Sequence, residues 1–264
     1  MNPAIIIEKW DGVLYTIYNG FITAKTAIIR PPFLKKNKSI KNRHLGERCF
    51  VVMNGPSINE LDLSFLKGEI VFASNYFYRS ELAKVVGPNY YCWADSKLFD
   101  KDESIAVVGE IKKVCPQAVL LLHHKAFKRF GDREDVFYIY CRHMANVFGI
   151  STNLACNASN YSTVAFHAVS EALYMGFKEI YILGLDFAPG AFKHFANLGV
   201  DCEDPTKKES KFDVAGNYWN YTKSQYESFY LREYADKHNQ RIINLNPDSY
   251  IRAFEFGDYN NLFE

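Results

Sequence analysis

Short apolar runs alternate with longer amphipathic stretches along most of this chain. Six runs have the length and β-branched content of strands that are buried on both faces, and a seventh at residues 137–141 is weaker. The six runs are residues 49–53, 69–73, 90–94, 118–122, 179–183 and 241–245. Because helical patterns separate the runs, the sequence predicts an α/β fold with a doubly wound, mostly parallel sheet.

The clearest helical pattern lies at residues 162–175. Apolar side chains recur there at helical spacing and form one stripe. Gly176 follows the stripe and predicts the end of the helix.

The first 45 residues have a different character and predict an N-terminal extension to a main domain at 46–264. An apolar, aromatic face recurs at helical spacing from Trp10 to Phe21, and Pro31-Pro32 ends that pattern. A basic run follows from Lys35 to Arg48, with Glu47 as its first acid. Two interpretations remain open: the helix packs on the main domain and a solvated basic linker follows, or the extension lies on an anionic membrane surface.

Composition excludes several classes of protein. Lys and Arg total 31 against 30 Asp and Glu, a balance that gives no support for a nucleic-acid binder. The six cysteines are scattered without a C-x-x-C pair, which favours a reducing cytoplasm over a disulfide framework. No run of about eighteen apolar residues and no signal-peptide pattern occurs. We therefore expect a cytoplasmic protein, with peripheral contact at the inner face of the membrane left open.

A polar residue follows each of the six predicted strands. In an open parallel sheet the carboxyl ends of the strands share one edge, and ligands bind outside that edge. Amide, carboxylate and imidazole groups suit the hydroxyls and ring nitrogens of sugars and nucleotides. The residues are Asn54, Asn75, Asp95, His123 with His124, Asp186 and Asn246.

The turn after the first predicted strand is a candidate phosphate site. Asn54 and Gly55 tolerate positive φ, Pro56 presets a helical turn, and Ser57 can cap the helix that follows. The sequence therefore predicts a strand–turn–helix whose helix N-terminus faces a phosphate.

A stretch without periodicity from about residue 189 to 222 predicts a lid. It ends in an aromatic and polar cluster in which the hydroxyls of Tyr218 and Tyr221 could donate to a phosphate, or which anchors the lid. The chain has no Walker loop, no G-x-G-x-x-G and no Asp-x-Asp, so we expect neutral donors rather than a protein-bound metal to face the phosphate.

Several of these motifs together resemble a known family. Asn54-Gly55-Pro56-Ser57, Ser74-Asn75-Tyr76-Phe77, Ser162-Thr163-Val164 and Gly184-Leu185-Asp186-Phe187 occur in this order, and Leu245-Asn246-Pro247-Asp248-Ser249 closes the pattern. Over roughly residues 46 to 250 the chain is similar to the bacterial family 42 sialyltransferases, and equally to the related MptE-like polysaccharide-biosynthesis proteins.

The resemblance implies a metal-independent glycosyltransferase with a single Rossmann-like domain and a lid. It implies a nucleotide-sugar donor, with a CMP-sugar favoured, and no further cofactor. It places the donor against residues that match the family's motifs: Asn54, Gly55, Pro56, Ser57, Asn75, Ser162 and Thr163 as binding residues, with Asp95 and Asp186 beside them.

Two departures from the family leave the acceptor base open. The family's catalytic histidine precedes the last helix, where this chain has Asn220, Tyr221 or Thr222, and a family tyrosine is Ala188 here. His194, Asp95 and Asp186 are the candidates for the base. Tyr218 or Tyr221 would donate to the departing phosphate.

The function that we expect is transfer of sialic acid or a related sugar to a surface-glycan or lipid-linked acceptor in lipopolysaccharide or capsule biosynthesis. One alternative is an MptE-like pterin diphosphokinase, with Mg²⁺ held by Asp186 and Asp201 or Asp204. The other is a non-catalytic assembly partner that has lost its base. A homo-oligomer and membrane contact through residues 1–45 both remain open.

Overall fold

The computed structural model of this chain describes residues 3–144, 149–187 and 211–263. Eight parallel strands form one sheet in the order β10-β9-β8-β1-β2-β3-β4-β5, and β6 and β7 form a separate parallel pair. The strands are β1 (Arg48–Val52), β2 (Val71–Ser74), β3 (Tyr90–Trp93), β4 (Val119–His123), β5 (Val136–Ile139), β6 (Cys141–Met144), β7 (Ala158–Asn160), β8 (Glu179–Leu183), β9 (Arg241–Asn244) and β10 (Glu255–Phe256). The doubly wound, mostly parallel sheet is confirmed.

Helices cover both faces of this sheet. They are α1 (Pro3–Ile29), α2 (Pro32–Lys36), α3 (Leu82–Val86), α4 (Glu103–Val114), α5 (Phe127–Phe130), α6 (Val164–Met175) and α7 (Lys211–Lys237). Successive residues of β1 alternate between two apolar clusters, with Phe50 on the α4 side and Val51 on the α6 side. This two-residue period explains why the buried strands are continuous apolar runs.

Helix α6 is buried along almost its whole length. Every residue from Ala165 to Met175 is buried, and Gly176 ends the helix with a φ of +88°, as the sequence predicts. Leu231 and Ala235 of α7 belong to the same apolar cluster. Helix α6 therefore lies between the sheet and α7.

Helix α1 packs on the domain with its polar side. Gly12 and Thr26 are buried, and the Asn19 Oδ1 accepts a hydrogen bond from the Met144 amide at 3.1 Å. Trp10 and Phe21, on the opposite side, are 65% and 64% exposed. The predicted apolar face exists, but it points to solvent instead of to the domain.

Helix α1 packs on the domain as the first interpretation expected, but the basic run after it is not simply a solvated linker. Most of its basic side chains are exposed, whereas the apolar residues between them are buried. Phe33, Leu34 and Ile40 are buried in the apolar clusters. The buried Asn37 donates from Nδ2 to the carbonyl oxygens of Tyr138 and Leu154, at 2.9 and 2.8 Å. Apolar residues between the lysines therefore anchor the segment to β5 and the loop before β7.

The aromatic and polar cluster at residues 217–222 lies inside α7 and not before it. The Thr222 Oγ1 donates to the Tyr218 carbonyl, and the Ser224 Oγ donates to the Asn220 carbonyl. These bonds to the preceding turn let hydroxyl side chains continue the helix. Residues 211–222 of the predicted lid thus belong to α7, and its residues 189–210 lie outside the described residues. Within the described ranges, no helix is long and apolar enough to cross a membrane.

Several titratable side chains are buried on α6 and in the strands that lie next to it. The Cys92 thiol donates to the Glu171 carboxyl at 2.9 Å, and burial raises the pKa of Glu171 to about 8. Burial lowers the pKa of His123 to about 3, and the pKa values of His124 and His167 to about 4 each. Glu171 is therefore protonated and the three imidazoles are neutral near pH 7.

Replacing Glu171 should change how stability depends on pH. Folded Glu171 keeps its proton up to about pH 8 whereas the unfolded side chain loses it near 4.5, so the free energy of unfolding falls as pH rises between these values. The buried histidines act oppositely, but only below 6.5. Urea unfolding of Glu171→Gln should show a weaker loss of stability between pH 6.5 and 8. The exposed Glu134→Gln is the control, and parallel curves for wild type and Glu171→Gln would contradict this assignment.

Candidate active site

The strand order reverses at β1, which pairs with β2 on one side and β8 on the other. A crevice outside the carboxyl ends of β1 and β8 is the expected ligand site of such a sheet. The chain segments that leave these strands touch: the Gly55 amide donates to the Gly184 carbonyl at 2.9 Å. A Cβ on Gly55 would lie 2.4 Å from that oxygen, so only glycine permits this approach.

Asp186 connects three of the segments at this crevice. Its Oδ2 accepts from the Ser57 amide at 2.9 Å, and its Oδ1 accepts from the Ser57 hydroxyl and from the Asn246 Nδ2 at 2.8 Å. The carboxylate thus joins the turns that follow β1, β8 and β9. Three hydrogen bonds already hold this carboxylate in place, which suits a positioning role better than that of an acceptor base.

The predicted helix after Ser57 is wrong. Residues Pro56–Glu60 form a single 3₁₀ turn, and the next short turn, Leu63–Leu66, is also 3₁₀. Ser57 gives both its amide and its hydroxyl to Asp186, and its side chain caps no helix. Asn54 lies beside this turn with a buried Oδ1 that has no hydrogen-bond partner among the described residues. Buried acceptors in folded proteins nearly always accept a hydrogen bond, and a bound ligand can supply the missing donor.

A cavity of about 370 Å³ opens next to the crevice, at the carboxyl ends of β2, β3 and β4. It brings together predicted residues from separate parts of the chain: Asn75, Asp95, Ser162 and Thr163 all line it. Asn75 has a φ of +50°, and its carbonyl accepts from the Tyr91 hydroxyl at 2.7 Å, which holds the residue at the end of β2. The cavity is thus built on the ends of the strands.

Two neutral histidines complete the wall of this cavity. The Nδ1 of His123 accepts from the Lys125 amide at 3.3 Å, so its proton lies on Nε2, which is then a donor. Burial holds the pKa of His123 and of His167 far below 6.5. Among the described residues that line the cavity, Asp95 is therefore the one charged side chain. Its Oδ1 accepts from the Lys97 amide at 2.9 Å, which fixes the carboxylate at the end of β3.

Glu227 of α7 accepts hydrogen bonds at the start of α6. Its fully buried carboxylate accepts from the Ser162 amide at 2.9 Å and from the Ser162 hydroxyl, and Lys223 Nζ lies 3.6 Å away. Burial raises the pKa of Glu227, while Ser162 and Lys223 oppose that rise. Thr163 caps α6 by accepting from the Ala165 amide, so its own hydroxyl proton is free to reach the cavity.

Glu227 and His167 were not among the candidates from the sequence. His167 and Glu171 are one helical turn apart on a helix that otherwise reads as apolar, and this polar pair was the available signal. No comparable signal marks Glu227 in the sequence, because the residues around it have the pattern of any exposed helix face.

Two tyrosine candidates do not reach the cavity, and three further candidates cannot be placed. Tyr218 is 58% exposed, and the Tyr221 ring lies 6.0 Å from that of Phe187; neither residue lines the cavity. His194 falls outside the described residues, as do Asp201 and Asp204.

Neither a protein-family model nor a curated protein matches this chain. Solved structures do. The sialyltransferase CstII from Campylobacter jejuni, in complex with cytidine-5'-monophosphate, matches at 15% identity over 82% of this chain and 86% of that chain, with a TM-score of 0.50. The same enzyme in complex with CMP-3FNeuAc matches at 16% identity over 80% and 85% of the two chains, with a TM-score of 0.49.

A second glycosyltransferase has the same fold. The MAf glycosyltransferase from Magnetospirillum magneticum AMB-1 matches at 15% identity over 85% of this chain, with a TM-score of 0.50. This chain spans 38% of the length of that protein. The matches at 0.50 show that the parallel sheet and its helices are arranged as in known glycosyltransferases.

The close approach of the turns after β1 and β8 can be tested with two glycines. Gly184 and Gly68 have φ values of +69° and +93°, but a Cβ on Gly184 would lie 2.7 Å from the Met53 carbonyl, whereas Gly68 faces open space. Gly68→Ala should cost about 1 kcal/mol through its backbone conformation alone. Gly184→Ala should cost roughly 2 kcal/mol more because backbone must move. Equal losses in urea unfolding would show that the turns are not tightly packed.

Proposed function

We propose that this protein is a glycosyltransferase that transfers a sugar from a nucleotide donor, and that the cavity at the ends of β2, β3 and β4 holds the donor. The observation that carries the proposal is the convergence of Asn75, Asp95, Ser162 and Thr163 on one cavity beside the crevice between β1 and β8. The shared fold with two glycosyltransferases supports the reaction class.

A cytidine nucleotide is the favoured donor in this proposal. CstII, one of the proteins with this fold, was solved with cytidine-5'-monophosphate and with CMP-3FNeuAc. The proposed sugar is sialic acid or a related sugar. The proposed acceptor is a surface glycan of lipopolysaccharide or capsule, and contact of residues 1–45 with the membrane would bring the enzyme to a lipid-linked acceptor.

Neutral donors in the cavity can stabilise the departing phosphate. The amide of Asn75, the free hydroxyl proton of Thr163 and the Nε2 proton of His123 all belong to residues that line the cavity. Donors that are already fixed in place stabilise developing negative charge without further reorganisation. A leaving group with one phosphate, such as CMP, carries little enough charge for such donors to suffice.

Asp95 is the acceptor base that the geometry favours. It lines the cavity and its carboxylate is fixed by the Lys97 amide, whereas the Asp186 carboxylate is occupied by Ser57 and Asn246. A base must lie within hydrogen-bond reach of the acceptor hydroxyl, and a carboxylate at the wall of the donor cavity lies where such a hydroxyl would approach the donor sugar.

Nucleotide binding is the first test. In a thermal-shift assay with and without Mg²⁺, CMP or a CMP-sugar at a hundred times its Kd should stabilise the protein by about 2.7 kcal/mol, independently of Mg²⁺. A shift with ATP that requires Mg²⁺ would instead favour the pterin diphosphokinase. Binding without turnover of any donor would favour the non-catalytic assembly partner. That alternative is also supported by the residue at the position of the family's catalytic histidine, which is not a histidine in this chain.

Asp95→Asn should separate binding from catalysis. The substitution keeps the shape of the side chain and removes the base, so release of free nucleotide from the sugar donor should slow by about a hundred- to ten-thousandfold while CMP still binds. Asp258→Asn is the matched control, because the Asp258 carboxylate also accepts the amide two residues later and lies outside the cavity. Equal rates for the two variants would remove Asp95 from the mechanism.

A further inference from the structure

The outward side of α1 carries exposed apolar residues at alternating spacings of four and three. Six residues form this outward stripe, and all six are exposed: Trp10, Leu14, Ile17, Phe21, Ala24 and Ile28. The stripe consists of two sets whose members are seven residues apart. This is the arrangement of the a and d positions of a coiled coil, with Leu14, Phe21 and Ile28 at a and the others at d.

The opposite side of α1 follows the same repeat where it contacts the domain. Gly12, Asn19 and Thr26 are seven residues apart, and Gly12 and Thr26 are buried. The Asn19 Oδ1 accepts from the Met144 amide of β6. These three residues occupy f positions of the heptad, which lie opposite the seam formed by a and d. The domain therefore holds α1 so that the whole outward stripe faces away from it.

The apolar surface that α1 exposes is large enough for a stable interface. Val13 and Tyr18 flank the outward stripe and are also exposed. Together with the stripe they expose on the order of 900 Å² in each copy, compared with roughly 800 Å² per partner in a standard protein interface. A continuous apolar patch of this size marks a surface that binds a protein or a membrane.

The charges of α1 favour a protein over a membrane. Asp11 and Lys25 are the only charged residues between Trp10 and Ile29. A helix that lies in a bilayer surface typically carries several lysines and arginines on its polar face, and this part of α1 has one base and one acid. Asp11 and Lys25 each follow a d position directly, so both occupy e positions, which flank the seam and form ion pairs between helices.

We propose that two copies of this chain associate through the outward stripe as an antiparallel two-helix coiled coil. In this orientation the a positions of one helix pack on the d positions of the other, so Phe21 of each copy packs on Ile17 of the other at the centre. Trp10 then packs on Ile28, and the small Ala24 on Leu14. The two-fold symmetry of such a dimer repeats every contact twice.

The two charged residues specify the antiparallel orientation. The e positions of both helices lie along the same edge of an antiparallel pair, and Asp11 and Lys25 lie near opposite ends of the stripe. Each Asp11 therefore meets Lys25 of the other copy. In a parallel pair the e positions would face g positions, which are the uncharged Val13, Gly20 and Ala27. Only the antiparallel pair satisfies both the stripe and the charges.

The dimer is compatible with the membrane contact of the proposed function. It covers the outward stripe and leaves the exposed Lys35, Lys38 and Lys41 after α1 uncovered. Membrane contact would then depend on these lysines and not on the stripe. The inference goes beyond the proposed function and does not depend on the donor or on the reaction.

Sedimentation velocity of the full chain tests the dimer, which should have twice the mass of the 30.4 kDa chain. Phe21→Ser should weaken association by at least about a hundredfold, because each copy loses an aromatic ring from the centre of the interface. Phe21 is exposed in the single chain, so urea unfolding of dilute protein should be unchanged. Ile105→Ser is the matched control: it removes an apolar side chain that is 58% exposed on α4 and should stay dimeric.

Charge reversal tests the orientation. Asp11→Lys and Lys25→Asp should each weaken the dimer about tenfold, because like charges then meet at two symmetric places. An equimolar mixture of these two variants should recover the wild-type affinity, since every pair in the mixed dimer is again of opposite charge. Lys113→Asp, at an exposed position of α4, should have no effect.

Three results would overturn the proposal. The first is a chain that stays monomeric at about 100 μM, where a dimer with a micromolar Kd would be mostly associated. If such a monomer sediments with vesicles that contain phosphatidylglycerol, the stripe is a membrane surface instead. The second is a dimer that Phe21→Ser leaves intact, because another surface would then form it. The third is a mixture of the charge variants that does not recover, which would exclude the antiparallel pair.

Discussion

The carboxylate of Asp186 is the contact on which the geometry of the site depends. It receives two hydrogen bonds from Ser57 and one from Asn246, and so ties together segments that follow three neighbouring strands. Several charge-assisted hydrogen bonds hold a carboxylate more firmly than a single neutral hydrogen bond would hold a neutral side chain. Because Gly55 and Gly184 allow the backbones to touch, the carboxylate reaches Ser57 directly. The wall of the crevice is therefore rigid before any ligand arrives.

The second support is the polar layer around α6. Helix α6 is buried on nearly all sides, so its start must find partners within the protein, and Glu227 with Thr163 supplies them. On the same helix, the protonated Glu171 contacts Cys92 of β3. The cavity thus rests on a helix whose start and whose Glu171 already have hydrogen-bond partners within the protein.

The sequence predicted the sheet well because strands buried on both faces are apolar throughout, and that signal is local. The sequence also placed Asn75 and Asp95 correctly at the strand ends, since each of these polar residues comes shortly after an apolar run that is easy to recognise. Prediction from the sequence failed where a side chain can bond either to a near neighbour or to a residue far away in the chain. Ser57 could cap a helix or bond Asp186, and only the folded chain decides. Periodicity revealed the apolar face of α1 but not the direction in which it points. Glu227 lies 65 residues along the chain from its partner Ser162, so only the folded chain brings the two together.

The cavity walls come from different crossover connections of the sheet. Asn75 and Asp95 follow β2 and β3, His123 is the last residue of β4, and Thr163 caps the start of α6 on another connection. A change in one connection therefore alters one wall while the strands and the Asp186 contact stay as they are. Such a scaffold can acquire a new donor or acceptor through small steps in evolution, each confined to a single loop. For engineering, it follows that substrate preference can be varied one connection at a time without rebuilding the fold.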